Sequence, residues 1–220
     1  ELKVPLIGVN HLIAHLSIGL VKSKVKDPIF ILATGANTQI IAYEGKKYRV
    51  FGETLSIGLG NALDKFGREI GLGFPAGPKI EQLAKKGKYV SLPYSVKGMD
   101  VEFSGIITDV INKYKKGYSK EDLCYSLQET FFSMLTEVTE RALAHCQKKE
   151  VLLIGGVAAN KRLIEMLKIM CKERKAKFDV VPIQYSGYNA AMIAWQGLLE
   201  YKKDNKKDFD IKPRWRLDEV

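Results

Sequence analysis

A chain of 220 residues can bury a sizeable core and holds one to two domains. Its 46% hydrophobic and 27% charged residues match a folded soluble protein and exclude disorder, and no apolar run reaches bilayer-spanning length. Lys and Arg total 35 against 25 acids, and the net charge of +10 favours a polyanionic partner such as nucleic acid, because neutralising phosphates releases counterions.

Pro5 to Val9 reads as a short buried strand, and Asn10 as the cap of a helix carrying His11 and His15. Ile29–Thr34, Gln39–Tyr43 and Tyr48–Phe51 read as three strands joined by tight turns at Thr34–Asn37 and Glu44–Gly45, the pattern of consecutive hairpins. Helices are predicted over Ile57–Arg68 and Pro78–Lys86, the second with proline in its first turn. Lys88–Ser104 is an irregular connection. Helices follow over Gly105–Tyr114 and Ser119–Gln147, the latter capped by Ser119, with Asp122 standing in for the Glu of a capping box. Its apolar positions recur at helical spacing, so that stripe is core. Val151–Ile154 is a buried strand, Ala158–Lys172 a helix, Phe178–Val181 a strand and Asn189–Tyr201 a helix. The tail is polar, with Trp215 as its anchor. The order of elements predicts an α/β fold.

The Lys-rich stretches 22–26, 113–116 and 202–207 suit solvated loops and helix ends as well as a nucleic-acid surface. Cys124, Cys146 and Cys171 are odd in number and lack zinc-finger or redox spacing. With no charged-then-apolar signal pattern at the start, a cytoplasmic protein with packed, reduced thiols is expected.

Four patterns carry chemistry, each with a plainer counterpart. His11 and His15 are one helical turn apart, so both imidazoles can reach one cation, or both can be ordinary helix histidines. The turn after Ala33 is small and glycine-containing, suited to an anion and equally to a hairpin. Gly155 to Asn160, between a strand and a helix, opens a slot for a polar ligand or allows close packing. Gly71 to Glu81, with Asp64 upstream, can set Gly77 against a flat ligand and Glu81 against ribose hydroxyls, or form a surface loop. No Ser-His-Asp or Cys-His nucleophile arrangement is legible, and no general base or other catalytic residue is singled out.

Ordered stretches run the length of the chain: Gly8-Val-Asn-His-Leu-Ile-Ala-His15, Thr34-Gly-Ala-Asn-Thr-Gln39, Tyr48-Arg-Val-Phe-Gly-Glu-Thr54, Leu92-Pro-Tyr, Val96-Lys-Gly-Met-Asp100, Tyr125-Ser-Leu-Gln-Glu129, Gly155-Gly-Val-Ala-Ala-Asn160 and Ala190-Ala-Met-Ile-Ala194. Together they resemble the tRNA N6-adenosine threonylcarbamoyltransferase family, the archaeal type of the universal catalytic subunit of the KEOPS complex. The resemblance implies an actin-like ATPase (ribonuclease H-like) fold of two lobes, with the ligand in the cleft. It implies transfer of a threonylcarbamoyl group from threonylcarbamoyl-AMP to N6 of the adenosine 3′-adjacent to the anticodon of ANN-decoding tRNA. It further implies an iron or zinc ion on His11 and His15, and phosphate or carbamoyl groups held by Leu32, Ala33, Thr34, Gly35 and Ala36. Nucleoside contacts map to Asp64, Gly77, Glu81 and Asn160. The implied partners are tRNA and the other KEOPS subunits, among them a small atypical protein kinase and a dimerising subunit; ATP is the alternative nucleotide.

Two departures stand out. Tyr188 occupies the position of the family's aspartate ligand, and Leu32 that of a tyrosine ligand common in archaeal members. Tyr188 is therefore the expected third ligand, as a phenolate, with weak or absent metal binding as the rival. Family members also carry roughly another hundred residues before the equivalent of Glu1, enough for much of a lobe. The expected division is thus 1–28 as a remnant of the first lobe, 29–184 as a nucleotide-binding lobe with a helical insert over about 56–147, and 185–220 as a C-terminal helix and tail. A non-catalytic or partner-dependent scaffold that binds ATP is the main competing reading. A kinase or chaperone-like ATPase of the same fold would not need the histidines. A zinc hydrolase is disfavoured because no glutamate follows His11.

Overall fold

The computed structural model describes residues 4, 6–202, 210–212 and 215–220. In chain order its elements are α1 (His11–Val21), β1 (Ile29–Ala33), β2 (Thr38–Glu44), β3 (Lys47–Glu53), α2 (Leu59–Glu69), α3 (Gly77–Ala84), β4 (Val96–Lys97), β5 (Asp100–Val101), α4 (Ser104–Lys115), α5 (Lys120–His145), β6 (Glu150–Ile154), α6 (Lys161–Glu173), β7 (Lys177–Val180), α7 (Ile183–Ser186) and α8 (Ala190–Lys202). Short 3-10 turns occupy Gly156–Ala159 and Leu217–Glu219.

Strand β1 is apolar and buried at every position, as a strand covered on both faces must be. It pairs antiparallel with β2 (Ile31 opposite Ile40) and parallel with β6 (Ile31 opposite Leu153), giving a mixed sheet of order β3-β2-β1-β6-β7. Side-chain alternation divides the core. Ile29, Ile31, Ala33, Ile40, Ala42, Val151 and Leu153 join the large cluster formed with helices α2 to α6. Phe30, Leu32, Ile41, Leu152 and Ile154 face the other way, onto Ile13 and Leu16 of α1. Helix α1 in turn packs against α7 and α8. The α/β expectation is borne out.

Most predicted elements are present, with ends shifted by one or two residues. Asn10 caps α1, its Oδ1 accepting from the amides of Leu12 (2.9 Å) and Ile13 (3.1 Å). Ser119 caps α5 by accepting from the Asp122 amide at 3.1 Å. Asp122 does not complete a capping box: its carboxylate accepts from the amide of Lys88 at 2.7 Å, while Ser126 Oγ accepts from that of Val90. These side chains of α5 hold down the connection read as irregular, which also contains the small β4–β5 hairpin.

Other expectations need correction. Residues 6–9 form no strand; Leu6 is 68% exposed and no sheet edge pairs with the segment, while Pro5 lies outside the described residues. The chain after β6 enters a 3-10 turn before α6, and α7 was not expected. In the tail, Leu217 is the buried anchor, and Trp215 is half-buried with Lys212 over its ring. Of the Lys-rich stretch 202–207, residues 203–207 lie outside the described residues. Cys124 and Cys171 are buried and Cys146 partly so, and burial pushes the Cys124 and Cys171 thiols up to about 12 and about 11.

At the end of the sheet where β1 and β6 begin, buried Lys148 pairs with Asp27 at 2.6 Å and Glu44 at 3.1 Å. At the opposite end Gly155 has φ +109°, and a Cβ there would sit 2.2 Å from the carbonyl oxygen of Ala33. Gly155→Ala should therefore cost about 2–4 kcal/mol in urea denaturation, through backbone strain and separation of β6 from β1. At Gly156 a Cβ meets nothing within 4 Å, so Gly156→Ala should stay within about 1 kcal/mol of the wild type.

Candidate functional site

The carboxyl ends of parallel strands β1 and β6 are where an open α/β sheet offers a crevice. The turn after β1 closes on itself: the Thr34 amide donates to Asn37 O (2.8 Å), and the Asn37 amide donates to Thr34 Oγ1 (2.9 Å). Helix α2 then docks on this turn. The amides of Gly60 and Asn61 donate to the carbonyls of Thr34 and Gly35, and that of Leu59 to Thr38 Oγ1. The N-terminal donors that helices leave orphaned are thus satisfied by the turn, without a side-chain cap. Glycine is required here: a Cβ at Gly58 would lie 2.4 Å from Ala36 O, and one at Gly60 2.9 Å from Gly35 Cα.

Beside this junction lies a cleft of about 540 Å³, within the ordinary range for small-molecule sites. It brings together Gly35, Ala36, Asp64, Gly77, Glu81, Asn160 and Tyr188 from the predicted set. Leu32 and Ala33 do not reach it: both are fully buried within β1, and Leu32 faces α1. Thr34 is buried too, its hydroxyl engaged within the turn.

Three polar groups of the wall are braced by backbone. Asp64 Oδ1 accepts from the Ala76 amide (2.7 Å), fixing the loop before α3. Glu81 Oε1 accepts from the Lys161 amide (2.9 Å) at the start of α6. Asn160 is the N-cap of α6, accepting from the amides of Arg162 and Leu163, and its Nδ2 donates to Gln128 Oε1 at 3.1 Å. Each carboxylate keeps acceptor capacity on its second oxygen; the Asn160 carboxamide is largely used in holding the chain. A Cβ at Gly77 would meet nothing within 4 Å, so that backbone is bare toward the cleft. Asn61 and exposed Phe74 also line the wall and were not read from the sequence. Asn61 had one usable signal: it precedes Asp64 by three residues, one helical turn on the same face.

The histidine pair lies next to Tyr188. The His11 and His15 rings are 4.9 Å apart, and Tyr188 stands 5.1 Å from the first and 5.7 Å from the second. His15 is 1% exposed and neither ring nitrogen has a hydrogen-bond partner. A buried imidazole with two orphan nitrogens wants an electrophile, and its neutral form is the one that binds metal. Burial, aided by the nearby His11 charge, lowers the His15 pKa to about 4. Two imidazoles and a phenol oxygen fit an iron or zinc ion as a partial donor set. Tyr188 also lines the cleft, so the donor set and the crevice share a side chain.

The His15 shift sets a pH dependence for metal-stripped protein. Its folded pKa, about 4, lies below the unfolded 6.5, so the unfolded state binds more protons between these values; stability rises with pH across that window and is lost on acidification from 6.5 to 4, by up to about 3 kcal/mol. In His15→Gln this component of the acid destabilisation should disappear from melting curves recorded between pH 4 and 7.

The family model described as TsaD: tRNA N6-adenosine threonylcarbamoyltransferase matches residues 1–195. An enzyme of that name from Thermococcus sibiricus is 56% identical over 221 residues, covering 98% of this chain and 68% of the relative. One from Archaeoglobus fulgidus is 53% identical, covering 100% and 69%. A Methanocaldococcus jannaschii protein, named a probable bifunctional tRNA threonylcarbamoyladenosine biosynthesis protein, is 56% identical over all of this chain but only 42% of its own length. The chain thus spans about two fifths of that bifunctional relative. Among solved structures, T. kodakarensis HypF matches with TM-score 0.70 at 16% identity, covering 94% of this chain and 38% of that one. That likeness concerns the fold alone; the family match and the mixed sheet fit a ribonuclease H-like, actin-like fold. With the family match over residues 1–195 and relatives above half identity, the chain belongs to the tRNA N6-adenosine threonylcarbamoyltransferase family.

Proposed function

We propose that this chain binds threonylcarbamoyl-AMP in the cleft and forms the core of an enzyme that transfers the threonylcarbamoyl group to tRNA. The acceptor is N6 of the adenosine 3′-adjacent to the anticodon of ANN-decoding tRNA. The bond from the carbamoyl carbon to the phosphate oxygen breaks, the bond to N6 forms, AMP leaves, and N6 loses a proton. The observation that carries this reading is one crevice bounded by a glycine turn, two braced carboxylates and a tyrosine touching both histidines.

In this reading Asp64 and Glu81 accept from ribose hydroxyls, Gly77 and Asn160 border the nucleoside, and, of the stretch Leu32–Ala36, the turn residues Gly35 and Ala36 receive the phosphate or carbamoyl end. His11, His15 and the Tyr188 oxygen would hold an iron or zinc ion, which supplies Lewis-acid polarisation of the donor's carbamoyl-phosphate end. A coordinated phenol is more acidic than a free one, which favours Tyr188 as phenolate. The division into 1–28 as a first-lobe remnant, 29–184 as a nucleotide-binding lobe with its insert, and 185–220 as helix and tail belongs to the same proposal. So do a cytoplasmic location and the KEOPS partners, including the small atypical kinase and the dimerising subunit.

One observation favours a second reading, an ATP-binding scaffold within that complex. Among the described residues, no three His, Cys, Asp or Glu side chains gather as metal ligands.

The purified chain should contain close to one equivalent of iron or zinc by elemental analysis, lost in His15→Ala and held more tightly in Tyr188→Asp. A metal-free wild type would end the phenolate assignment. Incubated with unmodified tRNA, synthetic adenylate and partner subunits, the loaded chain should yield modified nucleoside and AMP; ATP binding without product would support the scaffold. With a charge of +10, tRNA affinity should fall with salt at a log–log slope steeper than about −3. A flat dependence would exclude the basic surface as its docking site.

A further inference from the structure

Among the carboxylate and carboxamide side chains of the cleft, Asn61 stands apart. Asp64, Glu81 and Asn160 each accept from a backbone amide. The Asn61 backbone is equally fixed, its amide donating to Gly35 O at 3.0 Å in the first turn of α2. Its carboxamide, by contrast, makes no hydrogen bond to any described residue, though it lines the same cleft. It lies over the glycine turn: a Cβ at Gly35 would come within 3.0 Å of Asn61 Oδ1. The bare backbone of Gly35 thus gives this carboxamide its position. Asp64, three residues on, projects about 4.5 Å further along the helix, on the same face.

We infer that Asn61 is a positioning residue that reads the carbamoyl group of the donor. A carboxamide offers one acceptor oxygen and an NH2 donor in one plane. A carbamoyl N–H and C=O point to opposite sides of the planar group in its usual trans form, so the Asn61 NH2 can donate to the carbamoyl oxygen. A carboxylate could only accept, and it would repel the adjacent phosphate. The assignment rests on the functional reading above, that the cleft holds an acyl-adenylate with its acyl end at the turn. It adds a named discriminator between that donor and a bare nucleotide.

The test is calorimetric titration of the metal-loaded chain with AMP and with a non-hydrolysable threonylcarbamoyl-adenylate analogue, for wild type, Asn61→Ala and Asn61→Asp. Asn61 is exposed, and unchanged melting temperatures will verify folding of both variants. The wild type should bind the analogue more tightly than AMP. Asn61→Ala should weaken the analogue about tenfold while AMP changes less than about twofold, and Asn61→Asp should weaken the analogue at least as much. Equal weakening of both ligands, or of neither, would overturn the role of Asn61 and leave the donor-binding reading intact. Failure of the wild type to bind either ligand would overturn both.

Discussion

The site depends on a close approach of three backbone segments at the carboxyl end of β1. The turn after Ala33, the start of α2 and the bend after β6 meet at distances that exclude a side chain at Gly58, Gly60 or Gly155. What holds them is hydrogen bonding between groups that would otherwise be orphans. Helix α2 has no side-chain cap, and the carbonyls of Thr34 and Gly35 and the hydroxyl of Thr38 receive its first amides. Were this junction to open, α2 would lift from the sheet and carry Asn61 and Asp64 with it. The cleft is therefore a consequence of backbone packing first and of side chains second.

The acidic groups of the wall illustrate the same economy. Two carboxylates beside a proposed phosphate look like an electrostatic error in a cleft meant for anions. Each, however, already accepts a backbone N–H, and Glu81 does so at the N-terminus of α6, where the helix dipole is positive. Their charge is thus partly spent in fixing the loop at Ala76 and the start of α6. The remaining lone pairs suit hydroxyl donors, as ribose would supply, better than they repel a phosphate lodged near the turn. Bracing and binding use the same side chains, so losing either carboxylate would loosen the wall as well as remove a contact.

How much of this was legible follows from range. Local rules placed the caps at Asn10 and Ser119, the buried strands β1 and β6, and the long α5, because each is decided within a few residues. The cleft set Gly35, Ala36, Asp64, Gly77, Glu81 and Asn160 came from resemblance, with spacing merely compatible. What escaped was tertiary. Nothing local says that Asp122 turns away from its own helix end to the Lys88 amide, or that Asn160 is absorbed as a cap. The strand read at Pro5–Val9 has suitable residues, but a strand exists only beside another, and residues 6–9 have none. Leu32 and Ala33 fell inside a family stretch, yet the two-residue alternation of β1 sends Leu32 to the opposite face of the sheet.

The histidine pair gives the cleft its polarity. Burying an imidazole with both nitrogens unpaired costs on the order of 1–3 kcal/mol for each unmet group, a penalty that an apolar side chain would not carry. Nothing in the packing of α1 against the sheet requires His15. Residues that break a local rule in this way mark places where stability has been given up for binding. Tyr188, 68% exposed beside both rings, carries that chemistry to the cleft wall. A ligand there meets a nitrogen- and phenol-rich end and, along α2, an end bearing Asp64. The proposed acyl-adenylate would match this polarity, its carbamoyl-phosphate end toward the metal donors and its ribose hydroxyls toward Asp64.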